Sequence, residues 1–128
     1  MSMKTIIRTD KAPAPIGPYN QAVMAGNVLY TSGQIAMDPS SGDLVTDNIQ
    51  NESHQVMQNL KAVLEAAGMN FENVAKTSIF LKDMGNFQAV NAVYAEYFSE
   101  ENAPARETVQ VAKLPKDVNV EISMIASK

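Results

Sequence analysis

Residues 103–126 read APARETVQVAKLPKDVNVEISMIA, and the period of two inside them constrains the fold more than any other stretch. Arg106, Thr108, Gln110 and Ala112 alternate with Glu107, Val109 and Val111. Past the break at Leu114-Pro115-Lys116-Asp117, Val120, Ile122, Met124 and Ala126 alternate with Glu121, Ser123 and Ile125. Alternation over several residues marks a half-buried strand, so the segment reads strand, turn, strand. Arg106 stands where the first strand leaves its loop. Glu121 falls on the face opposite Val120, Ile122 and Met124. Strands paired as neighbours would turn a guanidinium suited to anions and a carboxylate suited to general-base work toward one pocket. The rest of the chain then supplies scaffold and walls.

Read from its start, residues 4–8 suit a short strand. Residues 12–19, APAPIGPY, hold three prolines and a glycine, which forbid helix and make a loop of fixed shape ending on Tyr19, a candidate site wall. Residues 21–25 and 28–32 flank Gly26-Asn27 and read as a tight hairpin. Ser32 and Gly33 follow it. A glycine there admits close approach of a ligand and a serine offers a hydrogen bond, although a bulge or strand bend explains the same residues. Residues 47–67 form a helix with Ile49, Val56, Leu60, Val63, Leu64 and Ala67 as its apolar stripe, Asp47 as N-cap and Gly68 just past its end. Residues 74–82 form a strand with Ala75, Thr77, Ile79 and Leu81 on one face. Residues 86–98 form a second helix with Phe87, Val90, Tyr94, Tyr97 and Phe98 facing the core and Asn91 at the stripe edge.

This order implies one α+β domain over residues 1–128, with a single sheet and both helices on one face. A small domain with its other sheet face bare should bury that face in a partner, so oligomerisation follows from the pattern. At 45% hydrophobic residues and a formal net charge of −4, the chain is a globular one, and its ten basic residues form no cluster that would suit nucleic acid. The absence of cysteine excludes disulfides and thiolate chemistry and fits a reducing cytoplasm. The first ten residues carry Lys4, Arg8 and Asp10 and no apolar leader core, and no apolar run spans a bilayer. The one histidine, His54, reads as a solvated helix residue, and neither a metal site nor a nucleophile triad can be built on it. Met57, Met69 and Met84 read as packing residues, and the glutamates at 65, 72, 96, 100 and 101 as solvating charges. No nucleotide-binding or metalloprotease motif is present. What remains is a site of arginine, carboxylate, tyrosine and small polar groups, able to hold a small carboxylate and activate water without a cofactor.

Several segments carry a resemblance: Ile16-Gly17-Pro18-Tyr19, residues 30–35 (YTSGQI), residues 59–68 (NLKAVLEAAG), residues 90–94 (VNAVY), Pro104-Ala105-Arg106, and residues 111–117 (VAKLPKD) followed by Val120-Glu121-Ile122. In this order and spacing they resemble the RidA (YjgF) family of reactive intermediate deaminases. The resemblance implies a chorismate-mutase-like α+β fold, a homotrimer and sites in clefts between subunits. It also implies hydrolysis of 2-imino acids and their enamine tautomers, such as 2-aminoacrylate and 2-iminobutanoate, released by pyridoxal-phosphate dehydratases. The products are 2-oxo acids and ammonia. Arg106 matches the family's carboxylate-binding arginine and Glu121 the glutamate that holds or activates water. Tyr19, Ser32, Gly33 and Asn91 match residues lining the cleft, and Thr108 stands where many relatives carry a cysteine. The chain departs from the family at Glu107, where relatives have a small residue, and at Ser123, where many carry a second glutamate. Both departures bear on substrate range. The rival reading is a module that binds a 2-oxo acid without turnover. RNA cleavage is disfavoured by the acidic balance and the single histidine.

Overall fold

The structure is a computed structural model that describes residues 3–128. Met1 and Ser2, part of the leader and domain readings, lie outside the described residues. Six strands and two α-helices appear in the order β1 (Lys4–Ile7), β2 (Ala22–Ala25), β3 (Val28–Thr31), α1 (Ile49–Ala66), β4 (Val74–Leu81), α2 (Phe87–Tyr94), β5 (Ala105–Gln110) and β6 (Val120–Ser127). The strands form one mixed sheet in the order β1-β2-β3-β6-β4-β5, antiparallel throughout except for the parallel β4–β5 pair. The expected α+β class, with both helices on one sheet face, is what the chain adopts.

The core lies between that face and the helices. Val120, Ile122, Met124 and Ala126 of β6 meet Val56, Leu60, Val63 and Leu64 of α1, all buried to 1% exposure or less. Burying side chains of this size stabilises the fold by about 1.5–3 kcal/mol apiece. The hairpin between β2 and β3 turns through Gly26, whose φ of +60° lies in the left-handed region glycine enters freely. Gly68, at φ +72°, closes α1 as its sequence position suggests, donating to the Glu65 carbonyl at 2.9 Å.

Five expectations are corrected. The runs around Arg106 and Glu121 are not neighbours: β4 lies between β5 and β6 and pairs with both. A parallel partner needs a crossover, and α2 supplies one for β5 on one edge of β4, leaving its other edge for β6. The N-cap of α1 is Asn48, whose side chain accepts from the Asn51 amide at 2.8 Å, while Asp47 accepts instead from the Asn51 side chain at 2.9 Å. Helix α2 ends at Tyr94, short of residue 98; Tyr97 follows in a turn and Phe98 just past it, and both pack edge-on with Phe71. Finally, Ala75 is exposed while Val74 is buried, because a register shift between Val74 and Lys76 bulges it out of the pleat. Met84 is 41% exposed, so it is no core residue, whereas Met57 and Met69 are.

Candidate functional site

The strand registers divide the expected site between the two faces of the sheet. Arg106 pairs with Thr77, which is fully buried on the helix side and accepts a hydrogen bond from the Tyr94 hydroxyl at 3.0 Å. Glu121 pairs with Phe80, three residues on from Thr77 and therefore on the opposite face. Within one chain the guanidinium and the carboxylate do not share a pocket, contrary to the expectation from neighbouring strands.

On the helix side, Arg106 is half-buried and held from several directions. Its Nη1 donates to Asn91 Oδ1 at 2.8 Å, and its guanidinium carbon lies 4.9 Å from the Tyr94 ring centre and 5.7 Å from that of Phe87. Such stacking fixes the plane of the fork while leaving its other N–H groups free. Asn91, read as a residue at the stripe edge, faces this arginine. No carboxylate among the described residues pairs with Arg106. Thr108, two residues along the same face, has its hydroxyl buried with no hydrogen-bond partner among the described residues. An oriented cation beside an orphaned hydroxyl suits an anionic ligand with polar atoms.

On the open face, Glu121 borders a cavity of about 100 Å³ that Tyr19, Gly33, Ile35, Met37, Pro115 and Lys116 help to line. Burial pushes its carboxyl above the ordinary value of 4.5. The chain breaks its pairing with β6 beside it: between Tyr30–Ile125 and Gln34–Ile122, residues Thr31, Ser32 and Gly33 oppose only Ser123 and Met124. The bulge reading of Gly33 holds, and the glycine lies there against the Glu121 side chain. A Cβ at Gly33 would stand 2.7 Å from Glu121 Cδ. Ser32 does not line the cavity; its hydroxyl donates to the Asn20 carbonyl and its amide to the Gln21 carbonyl at 2.9 Å, tying β3 to the end of the proline loop. Tyr19 is 47% exposed at the cavity mouth, with its hydroxyl accepting from the Ile16 amide at 3.4 Å.

Buried polar side chains that the sequence reading did not single out hold the walls. Gln21 donates to the carbonyls of Thr9, Ala12 and Pro13 and accepts from the Thr9 amide, which clamps the proline loop. Asn59 donates to the carbonyls of Ile35 and Met37 at 3.1 and 3.0 Å. Glu52, fully buried, accepts from the Asn119 amide, the Asn119 side chain and the Val120 amide. The signal for Glu52 was present, because it lies three residues after Ile49 and four before Val56 and so falls on the apolar stripe. Gln21 carries no such signal. Glu107 points to the open face, paired with Lys76 at 2.8 Å and bonded to Ser78; both partners hold its carboxyl below the ordinary range. It therefore does not compete for Arg106. His54 bonds the Tyr97 hydroxyl at 2.8 Å and is only partly solvated.

Known proteins carry the same fold and sequence pattern. Residues 9–128 match the family model described as Endoribonuclease L-PSP. A RutC family protein of Synechocystis is 55% identical over 127 residues, covering 98% of this chain and 97% of its own. A human protein named 2-iminobutanoate/2-iminopropanoate deaminase is 47% identical over 124 residues, covering 97% and 90%. The crystal structure of a Yersinia pestis member of the conserved Rid protein family superposes with a TM-score of 0.94 at 45% identity, covering 98% and 99%. Matches of this extent take in both faces of the site, and the chain belongs to the endoribonuclease L-PSP family, the family of the RidA (YjgF) proteins.

Proposed function

We propose that this protein hydrolyses 2-imino acids and their enamine tautomers, 2-aminoacrylate and 2-iminobutanoate among them, to 2-oxo acids and ammonia. The observation that carries the reading is Arg106: a half-buried guanidinium, its plane fixed by Asn91, Tyr94 and Phe87, with no carboxylate partner among the described residues. A planar fork of this kind binds a substrate carboxylate through parallel hydrogen bonds. The human relative's name points to the same chemistry.

In the proposed reaction Glu121 takes a proton from water as the water oxygen attacks the iminium carbon. The C=N π pair moves to nitrogen. Glu121 passes that proton to the nitrogen and then takes the hydroxyl proton of the tetrahedral adduct; the O–H pair forms the C=O bond as the C–N bond breaks, releasing ammonia and leaving the 2-oxo acid. The half-buried carboxylate also offsets the iminium charge. The Thr108 hydroxyl gains its missing partner in the bound substrate, and Tyr19 closes the mouth.

Because Arg106 and Glu121 lie on opposite faces of one sheet, we infer that a complete site joins the helix-side half of one copy to the open-face half of another. A homotrimer with clefts between subunits satisfies this. Exposed Tyr30 and Ile125, cross-strand neighbours on the open face, support burial of that face against a second copy. The cytoplasm is the proposed location, and no helix among the described residues is long and apolar enough to cross a membrane.

The test is a coupled assay. Threonine dehydratase generates 2-iminobutanoate, and semicarbazide traps whatever imine survives. Wild type should lower the trapped fraction and Arg106→Ala should not, with the same oligomeric mass. Full activity in Arg106→Ala overturns the assignment. A second reading, 2-oxo acid binding without turnover, draws on the fact that the Arg106 clamp is complete in one chain whereas the base lies elsewhere. Calorimetric binding of 2-oxobutanoate with no effect on the trapped fraction would favour it.

A further inference from the structure

Residues 115–117 form the short 3₁₀ turn that delivers β6, and Lys116 and Asp117 both adopt left-handed backbone, at φ 53° and 56°. Two successive non-glycine residues in that region persist only where their surroundings enforce it. The turn supplies Pro115 and Lys116 to the cavity wall, and Glu121 follows a few residues later. Its restraints are few and identifiable. Lys82 donates its amide to the Asn119 carbonyl at 3.0 Å, and its ammonium pairs with Asp117 at 3.1 Å on the surface. The turn is also braced within itself, Asp117 donating its amide to the Leu114 carbonyl at 3.0 Å, and by Val118, which is 1% exposed. A further restraint is Glu52, reaching from the first turn of α1 with bonds of 2.8 Å to the Asn119 amide, 2.7 Å to its side chain and 3.2 Å to the Val120 amide.

We propose that Glu52 is a positioning residue for Glu121: its buried carboxylate locks Asn119 and Val120, and with them the strained turn, so that the next residue along β6 presents its side chain over Gly33. The carboxylate is fully buried and three donors converge on it, an arrangement far more specific than solvation of a helix end requires. Its bonds run to the β6 side alone. The Arg106 clamp rests on Asn91, Tyr94 and Phe87 and has no tie to Glu52. Loss of Glu52 should therefore disturb the chemical step and spare substrate anchoring.

The inference rests on the deaminase reading for its kinetic consequence, and the experiment separates the two. Glu52→Leu keeps the size and removes the acceptors. Glu52→Gln keeps a carbonyl for the two backbone amides, and a turned Asn119 amide can accept from its new N–H group. Both variants are compared with wild type in the coupled assay and by amide hydrogen exchange at Asn119 and Val120. In Glu52→Leu, kcat should fall about 10²-fold, the usual consequence of displacing a reacting group by about an ångström, while KM stays within a few-fold. Glu52→Gln should restore most of kcat, and the two amides should exchange faster only in Glu52→Leu. A folded Glu52→Leu protein with wild-type kcat, or one whose loss falls on KM, overturns the proposal. Should Glu52→Leu not fold, Asn119→Ala, which removes one of the three bonds, must lower kcat with KM unchanged. If wild type hydrolyses no imine, the deaminase reading fails, and protection of these amides in wild type and Glu52→Gln still decides whether Glu52 holds the turn.

Discussion

Gly33 and Glu121 compete for the same space: an ideal Cβ on Gly33 would lie 2.7 Å from Glu121 Cδ and 3.0 Å from its Cγ. Gly33→Ala should leave the fold intact, since the strain falls on a side chain, and lower kcat about 10²-fold by displacing the base. Steady-state kinetics with a thermal melt checks both halves. Glu121 itself sets a pH dependence. Burial raises its carboxyl above 4.5, and the active form is the ionised one, so kcat/KM should rise with pH through a limb lying above the ordinary carboxylate range. Glu121→Gln should abolish that limb along with most activity. Arg106→Lys should lose roughly as much as Arg106→Ala, because an ammonium neither stacks in the Tyr94–Phe87 slot nor presents a fork. At this scale the sequence was informative where chemistry is unusual for its place: an arginine at a strand start, a carboxylate inside an apolar strand. It was silent on Gln21, because four hydrogen bonds to a distant loop leave no local pattern.

Elements were legible wherever period and punctuation agree. The hairpin around Gly26, the apolar stripe of α1 and the alternation of β6 all appear where the pattern places them. What the pattern lacks is pairing. Alternation says which residues share a face, and nothing in residues 103–126 records that β4 slots between the two strands. Nor does the pattern record which face of β5 meets the helices: Arg106 and Thr108 turn to the helix side and leave Val109 43% exposed, so Glu121 lies on the face away from Arg106. Local chemistry also failed at the start of α1, where Asn48 beats Asp47 because only its side chain reaches the Asn51 amide. Asn48→Ala should cost about 1 kcal/mol, seen as a lower melting temperature, whereas Asp47→Ala should cost less.

At the scale of the whole molecule, division of the site between sheet faces makes a prediction no single variant can test. Arg106→Ala and Glu121→Gln are each expected to be inactive alone. Denatured together and refolded as mixed oligomers, they should regain about a quarter of wild-type activity, the share of interfaces where an intact arginine meets an intact glutamate under random cyclic assembly. No recovery in mixed oligomers would confine the site to one chain. The sheet order has a consequence for synthesis as well. Strand β6 comes last among the elements yet sits in the middle of the sheet, paired with β3 on one side and β4 on the other. While the chain is still on the ribosome, the β1–β3 meander and the β4–β5 pair can form, but each keeps a raw inner edge until β6 emerges. A nascent chain in that state is two half-sheets facing an empty slot. Stalling translation before Val120 should leave it protease-sensitive and prone to pair with other chains.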